Sequence, residues 1–378
     1  MQEYERFMHL QTLKLVNFKN YETAEMQFSE KINCFVGRNG VGKTNILDAI
    51  YYLSFCKSYF NANDQQNIRH EDDFFTVHGF YQRPGMETDQ VSCIQKRRHK
   101  KLFQWNKKTY DRLADHIGKI PLVMISPYDR DLINDGSELR RKFIDGVIAQ
   151  FNPVYLDALI KYNKALGQRN ALLKQFAEQK RFDRELLSLW EAQMLQPATV
   201  IYQHRKAFLD DFQDIFQHYY GLVSGGNEKV FIQYDSNLHE STLQDLLDQN
   251  LQRDRSARFT TMGPHKDDLA LLMNTFPIKK FGSQGQQKSF VIAIRLAQYD
   301  FTHKKMGYKP ILLLDDIFDK LDDQRVKQLI RLVSEDHFGQ VFLTDTQQQR
   351  VDKLFEESKI DHRIFEVDTG KIAQNTLL

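Results

Sequence analysis

Gly37-Arg38-Asn39-Gly40-Val41-Gly42-Lys43-Thr44 is the stretch on which the fold turns. It fits GxxxxGK[ST] and stands between a short apolar run, 32–36, and a segment whose Ile46, Ala49, Ile50 and Leu53 recur at helical spacing. Strand, glycine loop and helix are the setting that a phosphate cradle needs. The glycines let successive N–H groups point at one phosphate, and Lys43 sets a compact cation beside the β/γ-phosphates. The Thr44 hydroxyl is placed to ligate Mg²⁺, and the helix N-terminus adds partial positive charge. A plain glycine turn explains neither Lys43-Thr44 nor the flanking elements.

Two further elements lie far downstream. Ile311-Leu312-Leu313-Leu314-Asp315-Asp316 is four aliphatics followed by two carboxylates, the pattern of a buried parallel strand ending in acids. Asp315 is placed to hold Mg²⁺ through its water shell, and Asp316, one residue on, to orient or deprotonate an attacking water. Phe281-Gly282-Ser283-Gln284-Gly285-Gln286-Gln287-Lys288 opens a helix with apolar Phe290, Val291, Ile294 and Leu296. Ser283 and the free N–H groups there make a second anion site, or simply an N-cap with a flexible turn.

Around these motifs the pattern is α/β, then helical, then α/β again. Strands are expected at 10–15, 32–36, 74–80, 91–95, 101–105 and 122–125, with a hairpin near 96–100. Helices follow at 138–151, 155–179 and 182–220, interrupted or kinked at Gly167 and Pro197. Strands return at 230–234, near Phe259, and at 269–273, 311–314, 341–344 and 363–367, with helices at 286–305, 322–333 and 347–355. The simplest architecture is one α/β domain split in sequence, 1–125 and 258–378, with an inserted, mainly helical domain at 126–257.

Composition sets the class. The chain has 378 residues, 41% apolar and 27% charged, with 52 Lys+Arg against 50 Asp+Glu. That length suits two domains. Mean hydropathy is -0.55, and no uncharged apolar run approaches the roughly 18 residues of a spanning helix. The first ten residues carry acids and no apolar core, unlike a secretory signal. Three cysteines build no disulfide framework, and no Cys/His spacing suggests zinc. A soluble cytoplasmic protein is expected. Near-neutral net charge means that nucleic acid would be met by local patches.

Taken together, a P-loop, a Ser-x-Gly-Gln helix start and an acidic strand end followed by Asp319-Lys320-Leu321-Asp322 resemble an ABC-type ATPase of the SMC-like branch. Within that branch the chain resembles the RecF family of bacterial recombination mediators. The resemblance is carried by 9–21 (HLQTLKLVNFKNY), Ser126-Pro127 with Asp129 and Leu132, Arg140-Arg141-Lys142-Phe143-Ile144-Asp145, Gln168-Arg169-Asn170 and Gly263-Pro264-His265-Lys266-Asp267-Asp268-Leu269. Such proteins usually begin at a methionine like Met8, so residues 1–7 read as an extension or an upstream start.

The resemblance implies an ABC-type ATPase head, a mixed sheet flanked by helices, with ATP and Mg²⁺ as cofactors. Ser283-Gln284-Gly285-Gln286 would be the signature motif and Asp319–Asp322 the D-loop. Two chains would sandwich two ATPs, the signature serine of one facing the γ-phosphate held by the other. It also implies DNA as a partner, both duplex and gapped or single-stranded, with RecR and RecO, support for RecA loading and SOS induction. The 270 residues between the motifs are too few, and too interrupted, for a long coiled coil. Asp316 stands where most ABC ATPases carry Glu, and slow turnover follows from its shorter reach. No histidine stands near Thr344-Asp345-Thr346, where many transporters have a switch histidine, and the Q-loop is not located.

The densest basic stretch is Lys96-Arg97-Arg98-His99-Lys100-Lys101, with Lys107 and Lys108 after it; Arg140, Arg141 and Lys142 form a second. Clustered cations displace counterions from phosphates and give sequence-independent DNA binding, whereas a merely solvated charge run does not. A transporter-coupled ABC ATPase is the alternative. The large insert, Asp316 and the missing histidine weigh against it, and about thirty residues after Thr344 are too few for an appended nuclease domain.

Overall fold

The computed structural model describes residues 8–83, 85–226, 228–317, 337–347 and 361–375. The expected helices at 322–333 and 347–355 and the Asp319–Asp322 segment lie outside them, apart from Gln347. Two compact units emerge: Met1–Asp129, Leu222–Gly225 and Ile292–Leu378 form one, Arg130–Gly221 and Gly226–Val291 the other.

The first unit carries two six-stranded sheets among the described residues. One runs in the order Lys371–Asn375, His362–Asp368, Ile32–Val36, Val341–Asp345, Ile311–Leu314, Leu122–Ile125, parallel except for the hairpin formed by the first two. Its last four strands are buried at every residue, which is why apolar side chains dominate them, with Asn33, Thr344 and Asp345 as buried polar members. The other sheet is antiparallel, in the order Tyr21–Gln27, His9–Phe18, Phe74–Gln82, Asp89–Lys96, Leu102–Trp105, Lys108–Thr109. The helix Lys43–Phe55 contributes Ile46, Leu47, Ala49, Ile50, Tyr52 and Leu53 to the core shared with both sheets. Phe28, Phe35, Phe342 and Phe365 meet in that core, with Phe28 edge-on to Phe342 at 4.9 Å. One buried amide also joins the sheets: Gln340 Oε1 accepts from Leu10 N at 2.7 Å, and Nε2 donates to Leu10 O and Ser29 O at 2.8 Å each.

The second unit contains the helices Ser137–Phe151, Pro153–Gln179 and most of Arg184–Ser224. Asn152 caps the second of these, its side chain accepting from Tyr155 N at 3.0 Å, with Pro153 in the first turn. A three-stranded antiparallel sheet, Val230–Asp235, Asp268–Met273 and Phe276–Pro277, completes it with the short helices Leu243–Gln249 and Leu251–Ala257.

Several expectations are corrected. The helices run unbroken through Gly167 and Pro197. Phe259 lies in a loop, 43% exposed, beneath the Lys266 ammonium. Pairing of Asp268–Met273 with Val230–Asp235 draws residues 258–291 into the second unit, so the units change over at 291/292 rather than at 257/258. No helix of the described residues is long and apolar enough to cross a membrane.

Candidate active site

Strand Ile32–Val36 delivers the loop and helix Lys43–Phe55 receives it. Glycine is required at two points. Gly37 has φ 154°, and a Cβ there would stand 2.3 Å from Val367 O; Gly42 has φ 115°, and a Cβ would stand 2.3 Å from Asn20 Nδ2. The turn Asn20-Tyr21 braces the loop from outside. Asn20 Nδ2 donates to Val41 O at 2.9 Å, Asn45 Nδ2 to Asn20 Oδ1 at 2.7 Å, and Tyr21 OH to Gly42 O at 3.0 Å. This brace belongs to the stretch 9–21 that carried the resemblance, and only long-range contacts disclose its role.

Lys43 is 4% exposed, its ammonium donating to Gly37 O at 2.8 Å and Arg38 O at 3.0 Å. The lysine thus fills the loop that it is suited to offer a phosphate. Arg38, Asn39 and Gly40 are exposed at the loop tip. Beside the loop lies a hollow of about 470 Å³, lined by Gly37, Arg38, Val41, Thr346 and the C-terminal end of strand His362–Asp368.

Residues 271 positions apart in sequence meet at the next feature: Thr44 Oγ1 donates to Asp315 Oδ1 at 2.9 Å. Asp315 is placed by its strand, its N–H donating to Ile125 O at 2.9 Å. Burial pushes its carboxyl up to about 6, against the hydroxyls of Thr44 and Thr344, which favour the ionised form. Asp316 has φ 44°, and its Oδ1 is buried with no hydrogen-bond partner among the described residues. The residues present fit a divalent cation and triphosphate: a hydroxyl and a carboxylate converge, with a second, unsatisfied carboxylate oxygen one residue away.

Ser283 belongs to the second unit. It caps the helix Gln284–Met306 through a reciprocal box, Gln286 N donating to Ser283 Oγ at 3.2 Å and Ser283 N to Gln286 Oε1 at 2.8 Å. Gln286 is held in turn by Glu228, with Nε2 to Oε1 at 3.0 Å. Both readings of this element stand at the level of geometry, since the cap leaves first-turn N–H groups such as that of Gln284 able to meet an anion.

The basic candidates divide. Lys96, Arg97, Arg98 and Lys100 are exposed at the hairpin tip between Asp89–Lys96 and Leu102–Trp105. Lys101 is not available: its ammonium is tied to Asp64 Oδ2 at 2.7 Å, Tyr52 OH at 2.9 Å and Cys56 O at 2.5 Å. Arg140 and Arg141 are likewise engaged within the second unit. Arg140 holds both oxygens of Asp268 at 2.7 and 3.0 Å, and Arg141 donates to Asp267 O at 2.6 Å. The Gly263–Asp268 segment is therefore a structural hub of the second unit. Arg205 reaches Pro264 O and Asp267 Oδ2 at 2.8 Å each, and Tyr162 OH lies 2.8 Å from His265 Nδ1.

Comparison with known proteins agrees with this geometry. The model of the RecF/RecN/SMC N-terminal domain matches residues 9–368. The DNA replication and repair protein RecF of Phocaeicola vulgatus is 50% identical over 368 residues, 97% of this chain and 98% of that protein. The protein of the same name from Flavobacterium johnsoniae is 48% identical over 358 residues, 95% and 99% of the two chains. A solved structure of the recombination mediator protein RecF with ATP superimposes with a TM-score of 0.90 at 26% identity, covering 100% of both chains. The Smc head domain of Pyrococcus furiosus, at 16% identity and a TM-score of 0.57 over 98% of this chain and 97% of its own, shares the fold. The architecture is that of an ABC-type ATPase head, with a mixed sheet, flanking helices and a mainly helical second unit. With half of its residues shared with one such relative across nearly its whole length, the chain belongs to the RecF family.

Proposed function

We propose that this chain is an ATP-dependent DNA-binding protein of replication and recombinational repair, acting in the cytoplasm. ATP binding joins two copies on duplex DNA near gaps or single-strand junctions, and slow hydrolysis releases them. The observation that carries this reading is the meeting of Thr44 with Asp315, beside the unsatisfied Asp316. It brings a P-loop hydroxyl to an acidic strand end, the arrangement that phosphoryl transfer from a nucleoside triphosphate needs.

In this reading Lys43 leaves the carbonyls of Gly37 and Arg38 for the β/γ-phosphates, while the N–H groups of residues 38–44 surround the β-phosphate. Mg²⁺, held by Thr44 and Asp315, supplies neutralisation of the phosphate oxygens. Asp316 orients the attacking water and takes its proton. Ser283, with Gln284, Gly285 and Gln286, faces the γ-phosphate bound by the other copy, because each chain has one P-loop and one signature element. ATP does its work by binding the paired state better than the separate chains. The ATP-bound relative, described in the RecFOR pathway, supports a place alongside RecO and RecR, and the reading extends to loading RecA at gaps and to SOS induction. DNA is met through the exposed tip, Lys96, Arg97, Arg98 and Lys100.

Light scattering with and without ATP and a gapped duplex tests the scheme. The parent chain is expected to double in mass with ATP, while Lys43→Met and Ser283→Arg stay single. A Ser283→Arg chain that pairs and hydrolyses ATP like the parent would refute the shared pocket.

A further inference from the structure

Strand Val341–Asp345 runs parallel to Ile311–Leu314, with Leu314 paired to Leu343. Beyond that pair come Asp315 on one chain segment and Thr344 on the other. Thr344 is 1% exposed. Its hydroxyl makes two bonds of different sense. It donates to Asp315 Oδ1 at 2.9 Å and accepts from Asp316 N–H at 2.9 Å. A hydroxyl has one proton to give. Once that proton is committed to the Asp315 carboxylate, a lone pair is turned to the Asp316 amide.

The Asp316 amide needs that acceptor. Asp316 has φ 44°, a left-handed conformation that side chains bearing a Cβ enter rarely. Such a conformation persists only where its surroundings determine it. Asp315 is anchored on the other side by its own N–H to Ile125 O, so the chain is fixed up to Asp315, and Thr344 supplies the bond that fixes the residue after it. The turn leaves Asp316 Oδ1 buried with no hydrogen-bond partner among the described residues, an oxygen with accepting capacity beside Asp315. Thr44 shares the same Asp315 oxygen at 2.9 Å, which ties this arrangement to the P-loop.

We infer that Thr344 is a positioning residue of the hydrolytic site, whose single hydroxyl holds Asp316 in its left-handed turn while orienting Asp315. The inference rests on the roles of Asp315 and Asp316 given under the proposed function.

Thr344→Val keeps the shape and removes the hydroxyl; Thr344→Ser keeps the hydroxyl and removes the methyl. In nucleotide-free protein, amide hydrogen exchange in the peptide 314–317 is expected to accelerate about tenfold in the valine variant and to match the parent in the serine variant. Single-turnover ATP cleavage should fall about 10²-fold in the valine variant, with the ATP dissociation constant unchanged, and be restored by serine. Asp316→Asn is the companion. If it cleaves ATP like the parent, the role given to Asp316 is wrong. If it is inactive while Thr344→Val matches the parent in both exchange and cleavage, the present inference alone is overturned. Should the valine chain not fold, Thr344→Ser decides: a serine chain with fast exchange at 314–317 overturns the inference.

Discussion

Gly42 sits at φ 115° with Asn20 pressed against the space where a side chain would begin. Gly146, inside the helix Ser137–Phe151, has nothing within 4 Å of its own missing Cβ. The same substitution should thus act with opposite sign at the two positions. Gly42→Ala is expected to destabilise by about 1–3 kcal/mol, since alanine is strained there and must displace the Asn20 brace. Gly146→Ala is expected to stabilise by about 0.5–1 kcal/mol, the usual gain for glycine in a helix interior. Urea denaturation at neutral pH measures both. Single residues also mark the limit of sequence reading. Lys43, Thr44, Asp315 and Asp316 were legible because each stands in a short local pattern whose chemistry is explicit. Asn20 and Thr344 were not, because what they do depends on partners in other elements.

The hairpin of Asp89–Lys96 and Leu102–Trp105 shows the same divide at the level of the element. Its alternation and polar turn announced it, and its pairing runs from Val91↔Trp105 to Ile94↔Leu102. Trp105 and Phe103 pack beneath it, with Trp105 Nε1 donating to Asp89 Oδ1 at 3.1 Å and Phe103 4.7 Å from the His116 ring. Charge alone did not separate Lys100 from Lys101, one exposed at the tip and the other turned inward to Asp64. The partners of Arg140 and Arg141 were hidden for a related reason: the Asp268 carboxylate and Asp267 carbonyl they serve come from more than 120 residues away. Changing Lys96, Arg98 and Lys100 together to Glu should weaken duplex binding and reduce the slope of log affinity against log salt by about 2–3. Fluorescence anisotropy over a salt series reads that slope. Lys101→Ala should leave the slope unchanged while lowering stability. Helix ends were harder to place than helices, and Pro197 is carried inside an unbroken helix although its ring removes a donor.

Across the molecule, a histidine in each unit is held well below its ordinary pKa: His116, fully buried, in the first, and His265, half-buried, in the second. His116 in the first has Nε2 2.7 Å from Leu53 O, and His265 in the second has Nε2 2.9 Å from Thr260 O. Burial lowers both from 6.5 to about 4, outweighing the carbonyls that favour the charged ring. The unfolded chain takes up these protons before the folded one does. Stability due to each ring is therefore complete above about pH 6.5 and is lost as pH falls toward 4, by about 2 kcal/mol apiece at pH 5. His265→Gln should be less stable than the parent at pH 7, yet lose about 2 kcal/mol less on going to pH 5. Urea denaturation at the two pH values checks this. The division into units was the least legible feature. Sequence placed 258–291 with the motifs that follow it, but strand pairing places it with Val230–Asp235.

One consequence follows from Lys43 resting on the carbonyls of Gly37 and Arg38. A cradle whose lysine holds two carbonyl acceptors of its own is guarded against the small inorganic anions that crowd any cell. To enter, a guest must replace two good acceptors and still yield a net gain, which a lone orthophosphate does poorly and a chain of three linked phosphates does well. Selectivity for the longer guest thus begins with the two carbonyls that Lys43 already holds.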